Sequence, residues 1–122
     1  CNIQIIDDLR ERNRYGILTG MIRTEAQNKY PKLVNLLDDY RNTIDGAESY
    51  DKLLRRVKNA FDQISKKSFN TVAIISHGGV IRCILRDVLK QGEIKDLADC
   101  AIIELEKNGL NFEITKIDSG FL

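Results

Sequence analysis

The chain has 122 residues, 43% of them hydrophobic and 30% charged, the profile of one ordinary globular domain. Lys and Arg number 19 against 18 Asp and Glu. There is thus no basic footprint for nucleic acid and no acidic tail, and any preference for an anion must come from a local site. No apolar run approaches the roughly 18 residues of a membrane span, and no signal-peptide pattern is present.

Cys1, Cys83 and Cys100 form an odd set without a C-x-x-C pair, which points to a reducing, cytoplasmic setting and away from a disulfide framework. His77 is the only histidine, which argues against a zinc cluster built on several His and Cys ligands. The chain begins with Cys1 and not Met, and passes directly into an apolar stretch, Ile3 to Ile6. Either something upstream has been processed away or the chain is partial.

In chain order, residues 1–6 read as a short strand or the end of one. Residues 7–29 are polar and interrupted by Gly16 and Gly20, a long loop with room for a helical turn. Pro31 suits the first turn of a helix, where its missing N–H costs nothing. Leu33, Leu37 and Tyr40 fall on one face, which predicts a helix over 31–42. The clearest helix follows. Ser49 can cap it and Asp51 complements its dipole, while Tyr50, Leu53, Leu54, Val57, Phe61 and Ile64 keep a 3.6-residue period.

Thr71 to Ser76 is a short, β-branched apolar run, the pattern of a buried parallel strand. His77-Gly78-Gly79 breaks it. Val80, Ile81, Ile84, Leu85, Val88 and Leu89 then form apolar columns of a helix that ends at Gln91-Gly92. The tail reads as a hairpin, Cys100 to Glu106 and Leu110 to Ile117, with Asn108-Gly109 suited to a type I′ turn. The order predicts an α/β layer fold with an antiparallel edge, and no linker divides it.

The segment Val72 to Arg82 carries the chemistry. It sets a histidine at the carboxyl end of a strand and just before a helix, the end of an open α/β sheet where ligands bind. A helix start offers unpaired N–H groups to an anion. Two glycines let the backbone approach a phosphate without a Cβ in the way. An isolated histidine in such a turn would more often be structural; the Gly-Gly pair and the strand–helix context favour a functional one.

Ser76-His77-Gly78-Gly79-Val80-Ile81-Arg82 resembles the second histidine motif of the histidine phosphatase superfamily, the group that includes phosphoglycerate mutases and broad-specificity phosphatases. Asp8 to Gly20 is similar to its acidic segment with an aromatic-Gly and a second Gly. Gly46-Ala47-Glu48-Ser49, with Arg56 in the helix that follows, is similar to its Gly-Glu-Ser helix start, with one residue more after the Gly. The resemblance spans essentially the whole chain and implies a three-layer α/β/α phosphoglycerate mutase-like fold.

It also implies roles. His77 would hold and polarise the phosphoryl group, and the Gly78 N–H would add a donor. Glu11 would be the general acid for the leaving oxygen and then the base for water. Arg12 would contact the substrate, unless it is a solvated surface charge. Glu48 and Ser49 suit capping and packing, and Arg56 and Arg82 suit structural ion pairs or the covering of apolar surface with their stems.

The family works through a phosphohistidine, with its nucleophile in an Arg-His-Gly motif on the first strand. This sequence contains no Arg-His-Gly, and no Ser-x-x-x-Arg-Ala helix bearing the second phosphate-binding arginine. Truncation is the simplest account: residues 1–122 would be the C-terminal portion of a single domain whose first strand is missing. Such a chain is expected to be poorly soluble or loosely packed, and inactive, by itself. A degenerate pseudoenzyme that binds phosphate or phosphoproteins is the alternative.

A nucleotide-binding domain is disfavoured by the lack of G-x-x-x-x-G-K-S/T and G-x-G-x-x-G. A cysteine phosphatase is disfavoured because Arg86 follows Cys83 too closely to frame a phosphate loop. An α/β-hydrolase is disfavoured because no G-x-S-x-G nucleophile elbow surrounds Ser76, which follows Ile75. The expected partner is a small phosphate monoester, with no nucleic acid, no membrane, no metal and no other cofactor. A homodimer is compatible with the sequence, and the short stretch from Gly20 to Gly46 leans towards a phosphatase over a mutase.

Overall fold

The computed structural model describes residues 2–119. They form helices α1 (Arg23–Lys29), α2 (Pro31–Leu36), α3 (Tyr50–Ser65) and α4 (Gly78–Cys83), and strands β1 (Ile102–Asn108) and β2 (Asn111–Asp118). Short 3₁₀ turns lie at Asp7–Leu9 and Gly16–Leu18. The residues fall into two compact units, Arg12–Arg56 and the remainder, with α3 running through the boundary. Among the described residues no helix is long and apolar enough to cross a membrane.

In the unit of Arg12–Arg56, Leu18, Ala26 and Ile44 form a small core, covered by Met21, Leu33, Val34, Leu37 and Ala47. The long loop expected over 7–29 therefore contains a helix, α1, that the sequence did not announce. Its single buried residue is Ala26, too little to set an apolar period. The helix expected over 31–42 is real at its start, with Pro31 in its first turn, but stops at Leu36. The chain then turns, and the Asn42 Nδ2 donates to the Leu36 carbonyl at 3.0 Å. At the start of α3, Ser49 caps as expected: its Oγ accepts from the Lys52 N–H at 3.3 Å.

In the other unit, α3 buries Val57, Ala60, Phe61 and Ile64, while α4 and the turn after it bury Val80, Cys83, Ile84 and Leu85. Each large aliphatic side chain so buried stabilises by about 1.5–3 kcal/mol against its exposed state. The helix that begins at Gly78 widens into a π-helical turn, Ile84–Val88, in which the Leu89 N–H reaches back to the Ile84 carbonyl at 2.8 Å. Glu93 sits across from it. Arg86 donates to one Glu93 oxygen at 2.7 Å and Arg82 approaches the other at 3.4 Å. The Arg86 hydrogen bond, with the charges of Arg86 and Arg82, holds the Glu93 carboxyl below the usual carboxylate range. Arg82 also donates to the Ile94 and Leu97 carbonyls, so it braces the loop after the helix, a structural role as expected.

The hairpin forms, with its turn one residue later than expected. Asn108 pairs with Asn111, leaving Gly109 and Leu110 as the two loop residues. Only Gly109 of these has positive φ, at 65°, which is the pattern of a type II′ turn and not of type I′. Thr115 is the additional residue of a bulge opposite Glu104/Leu105. Phe112 meets Phe61 edge to face, with centroids 5.1 Å apart.

The expected strand over Thr71–Ser76 is not paired, nor is the one over residues 1–6; Cys1 lies outside the described residues. The one sheet among the described residues is the hairpin. Ile75 is 95% exposed, Ile3 and Ile5 92% each. A β-branched run lacks a ladder when no neighbour supplies the other half of its hydrogen bonds.

Candidate active site

The Thr71–Ser76 run, though unpaired, delivers His77 to the start of α4. His77 is the N-cap, with extended backbone (φ −105°, ψ 158°) and no side-chain cap hydrogen bond. Its carbonyl accepts the Ile81 N–H at 2.9 Å. The imidazole is exposed. Just before it, the Ser76 Oγ donates to the Leu9 carbonyl at 2.7 Å. This bond ties the segment carrying His77 to the segment that leads into Glu11.

Glu11 lies over the same helix start. The Gly79 N–H donates to its Oε2 at 3.4 Å, a long bond. A Cβ built at Gly79 would lie 2.5 Å from the Glu11 Oε1. At Gly78 a Cβ would meet open space. The two glycines therefore differ: one faces a carboxylate and the other faces open space. Glu11 and Gly78 are both exposed. The structure brings His77, Gly78 and Glu11 together, three of the four residues singled out in the sequence.

Arg12, the expected substrate contact, is 8% exposed. Its Nε donates to the Glu48 carbonyl at 2.9 Å and its Nη2 to the Asn42 carbonyl at 3.1 Å, while its Nη1 donates to the Tyr40 carbonyl. The guanidinium lies 5.6 Å from the Tyr50 ring centroid. These contacts make it a brace for the backbone of its own unit. Sequence reading missed this role because the acceptors are carbonyls 28 to 36 residues away, which leave no mark on side-chain pattern.

The same loop is held from other directions. The Asn13 carbonyl accepts the Glu48 N–H at 2.7 Å, and its Nδ2 donates to the Gly46 carbonyl at 3.1 Å. Gly16 has φ of +45°, and a Cβ there would run into the Asp45 carbonyl and the Ala47 N, so only glycine fits. Glu48 closes the arrangement with Arg56: Nε to Oε1 at 2.7 Å and Nη2 to Oε2 at 2.8 Å. The two side chains are 10% and 15% exposed. The ion-pair role expected of Arg56 is thus met by Glu48 in one forked pair.

Among the described residues no group of three or more His, Cys, Asp or Glu is arranged to hold a metal ion. An open groove of about 600 Å³ lies elsewhere, lined by Val88, Leu89, Leu110 and Phe112 among others. It contains neither His77 nor Glu11, and its walls are those of the hairpin and the helix end.

The family model described as histidine phosphatase superfamily (branch 1) matches residues 1–118. A protein of Arabidopsis thaliana named a metal-independent phosphoserine phosphatase is 30% identical over 101 residues, covering 80% of this chain and 42% of that protein. A protein of Mycobacterium tuberculosis named a bifunctional protein is 31% identical over 129 residues, covering 99% of this chain and 35% of that one. The chain therefore spans less than half the length of these curated relatives.

Proposed function

The chain belongs to the histidine phosphatase superfamily, and from that premise we propose that it carries the acid–base half of a phosphomonoesterase site, the nucleophile being supplied from outside these 122 residues. The observation that carries the reading is the meeting of Glu11 with the turn His77-Gly78-Gly79. Residues that far apart in sequence converge at a helix start whose first N–H groups point away from the helix.

The substrate is a small phosphate monoester, and the phosphoserine phosphatase named among the relatives supports an alkyl phosphate. In the first step a nucleophilic imidazole nitrogen forms an N–P bond as the ester P–O bond breaks. Glu11 gives its proton to the leaving oxygen. In the second step a water oxygen bonds to phosphorus, Glu11 takes the water proton, and the N–P bond breaks. His77 and the Gly78 N–H stabilise charge on the phosphoryl oxygens in both steps. Arg12 braces the backbone of its own unit through the Tyr40, Asn42 and Glu48 carbonyls. The strand missing beside Thr71–Ser76 is the one that brings the nucleophile, and with it the domain completes a three-layer fold.

The test is Glu11→Gln in the full-length gene product, assayed on phosphoserine. The value of kcat should fall about 10²–10⁴-fold, the range for a lost general acid. Unchanged turnover would remove Glu11 from the mechanism. The second reading, a phosphate-binding module without catalysis, draws on the single histidine of the chain. It requires phosphate binding with no turnover in that same gene product.

A further inference from the structure

A Cβ at Gly79 would meet a carboxylate, while one at Gly78 would meet open space, so the two glycines of the turn are not equivalent. We propose that Gly79 is a positioning residue for Glu11: its bare Cα is the seat in which the general-acid carboxylate lies. This inference rests on the reading of Glu11 given above.

The geometry is specific. A methyl group on residue 79 would lie 2.5 Å from Oε1, 3.3 Å from Cδ and 3.5 Å from Oε2 of Glu11. Carbon and oxygen do not approach to 2.5 Å without a bond, so one of them moves. The backbone of residue 79 is held in α4, whereas the end of a glutamate side chain swings about three single bonds. The carboxylate is therefore what yields. It also loses its approach to the Gly79 N–H, now at 3.4 Å.

This separates stability from function. Gly79 is helical, and Gly79 carries no positive φ, so alanine is conformationally acceptable there. Alanine in a helix is favoured over glycine. Gly79→Ala is thus expected to melt no lower than the parent while displacing the acid. A glycine kept only for tight packing would do the opposite.

The experiment compares two substrates in the full-length gene product. Phosphoserine has a poor alkoxide leaving group and needs a proton. An aryl phosphate such as p-nitrophenyl phosphate has a good leaving group and needs none. The ratio kcat/KM reports the step in which the leaving group departs.

For Gly79→Ala, kcat/KM on phosphoserine should fall about 10²-fold or more, the lower range for a lost general acid, with kcat/KM on the aryl phosphate within about threefold of the parent. The Glu11→Gln variant should show the same split, and the double variant should be no worse than Glu11→Gln alone.

If Glu11→Gln shows the split and Gly79→Ala does not, Gly79 has no positioning role and the reading of Glu11 stands. If Glu11→Gln shows no split, that reading fails and takes this inference with it. If Gly79→Ala lowers both substrates equally, or lowers the melting temperature, the effect is structural and the inference is overturned.

Discussion

His77→Ala in the full-length gene product is expected to lower kcat on a phosphate monoester by about 10²–10³-fold, the range for one lost transition-state donor, while leaving stability within about 0.5 kcal/mol. Both halves follow from the site. The imidazole is exposed and makes no capping hydrogen bond, so its removal leaves no buried partner unsatisfied. The helix start it precedes is secured by the His77 carbonyl, which accepts the Ile81 N–H at 2.9 Å, and alanine keeps that carbonyl. A structural histidine would behave differently: its loss would lower the melting temperature and spare kcat. Thermal melts and steady-state kinetics on one preparation distinguish the two.

Arg56→Ala is expected to destabilise the unit of Arg12–Arg56 by about 3–5 kcal/mol, the cost of removing one partner of a buried ion pair. Both side chains lie almost out of solvent, so the Glu48 carboxylate would lose its forked charge partner where water cannot replace it. The effect should spread along the backbone, because the Glu48 carbonyl and N–H hold Arg12 and Asn13. Arg56→Lys keeps the charge and loses the fork, so it should recover only part of the stability. The chain has a convenient reporter: it contains no Trp, and Tyr15, Tyr30, Tyr40 and Tyr50 are all of its tyrosines. All lie in this one unit. Urea unfolding followed by tyrosine fluorescence therefore reads this unit selectively, and an unchanged midpoint in Arg56→Ala would show the pair to be dispensable.

The parts legible in the sequence are those whose cause is local. α3 announces itself by the period of Leu53, Val57 and Phe61 and by the Ser49 cap. The hairpin is announced by Asn108-Gly109, although Gly109 takes the first loop position and moves the turn by one residue. The π-helical turn after α4 was hidden, since Ile84 to Val88 keep the apolar columns of an ordinary helix while the Leu89 N–H reaches five residues back to the Ile84 carbonyl.

Thr71–Ser76 shows a different limit. Its composition is that of a buried strand, and composition does not say whether a neighbour is there. Here Ile75 faces solvent. For the site, His77 and Glu11 were singled out through the motifs that resemble the family's. The brace formed by Arg12 was not, because distant backbone carbonyls define it. The contact between Gly79 and Glu11 was not, because a glycine pair reads the same whichever of the two faces a carboxylate.

The most direct measurement is made on the 122-residue chain by itself: incubation with an aryl phosphate, followed by ³¹P NMR for phosphohistidine and a phosphate-release assay. On the proposed role of His77, the one histidine, the chain should release no phosphate above buffer and carry no phosphorus on His77. Joined in frame to a segment bearing Arg-His-Gly, it should turn over and carry the label on the added histidine. Acid-labile phosphate on His77 of the chain alone, with turnover lost in His77→Ala, would make His77 the nucleophile and contradict the assignment.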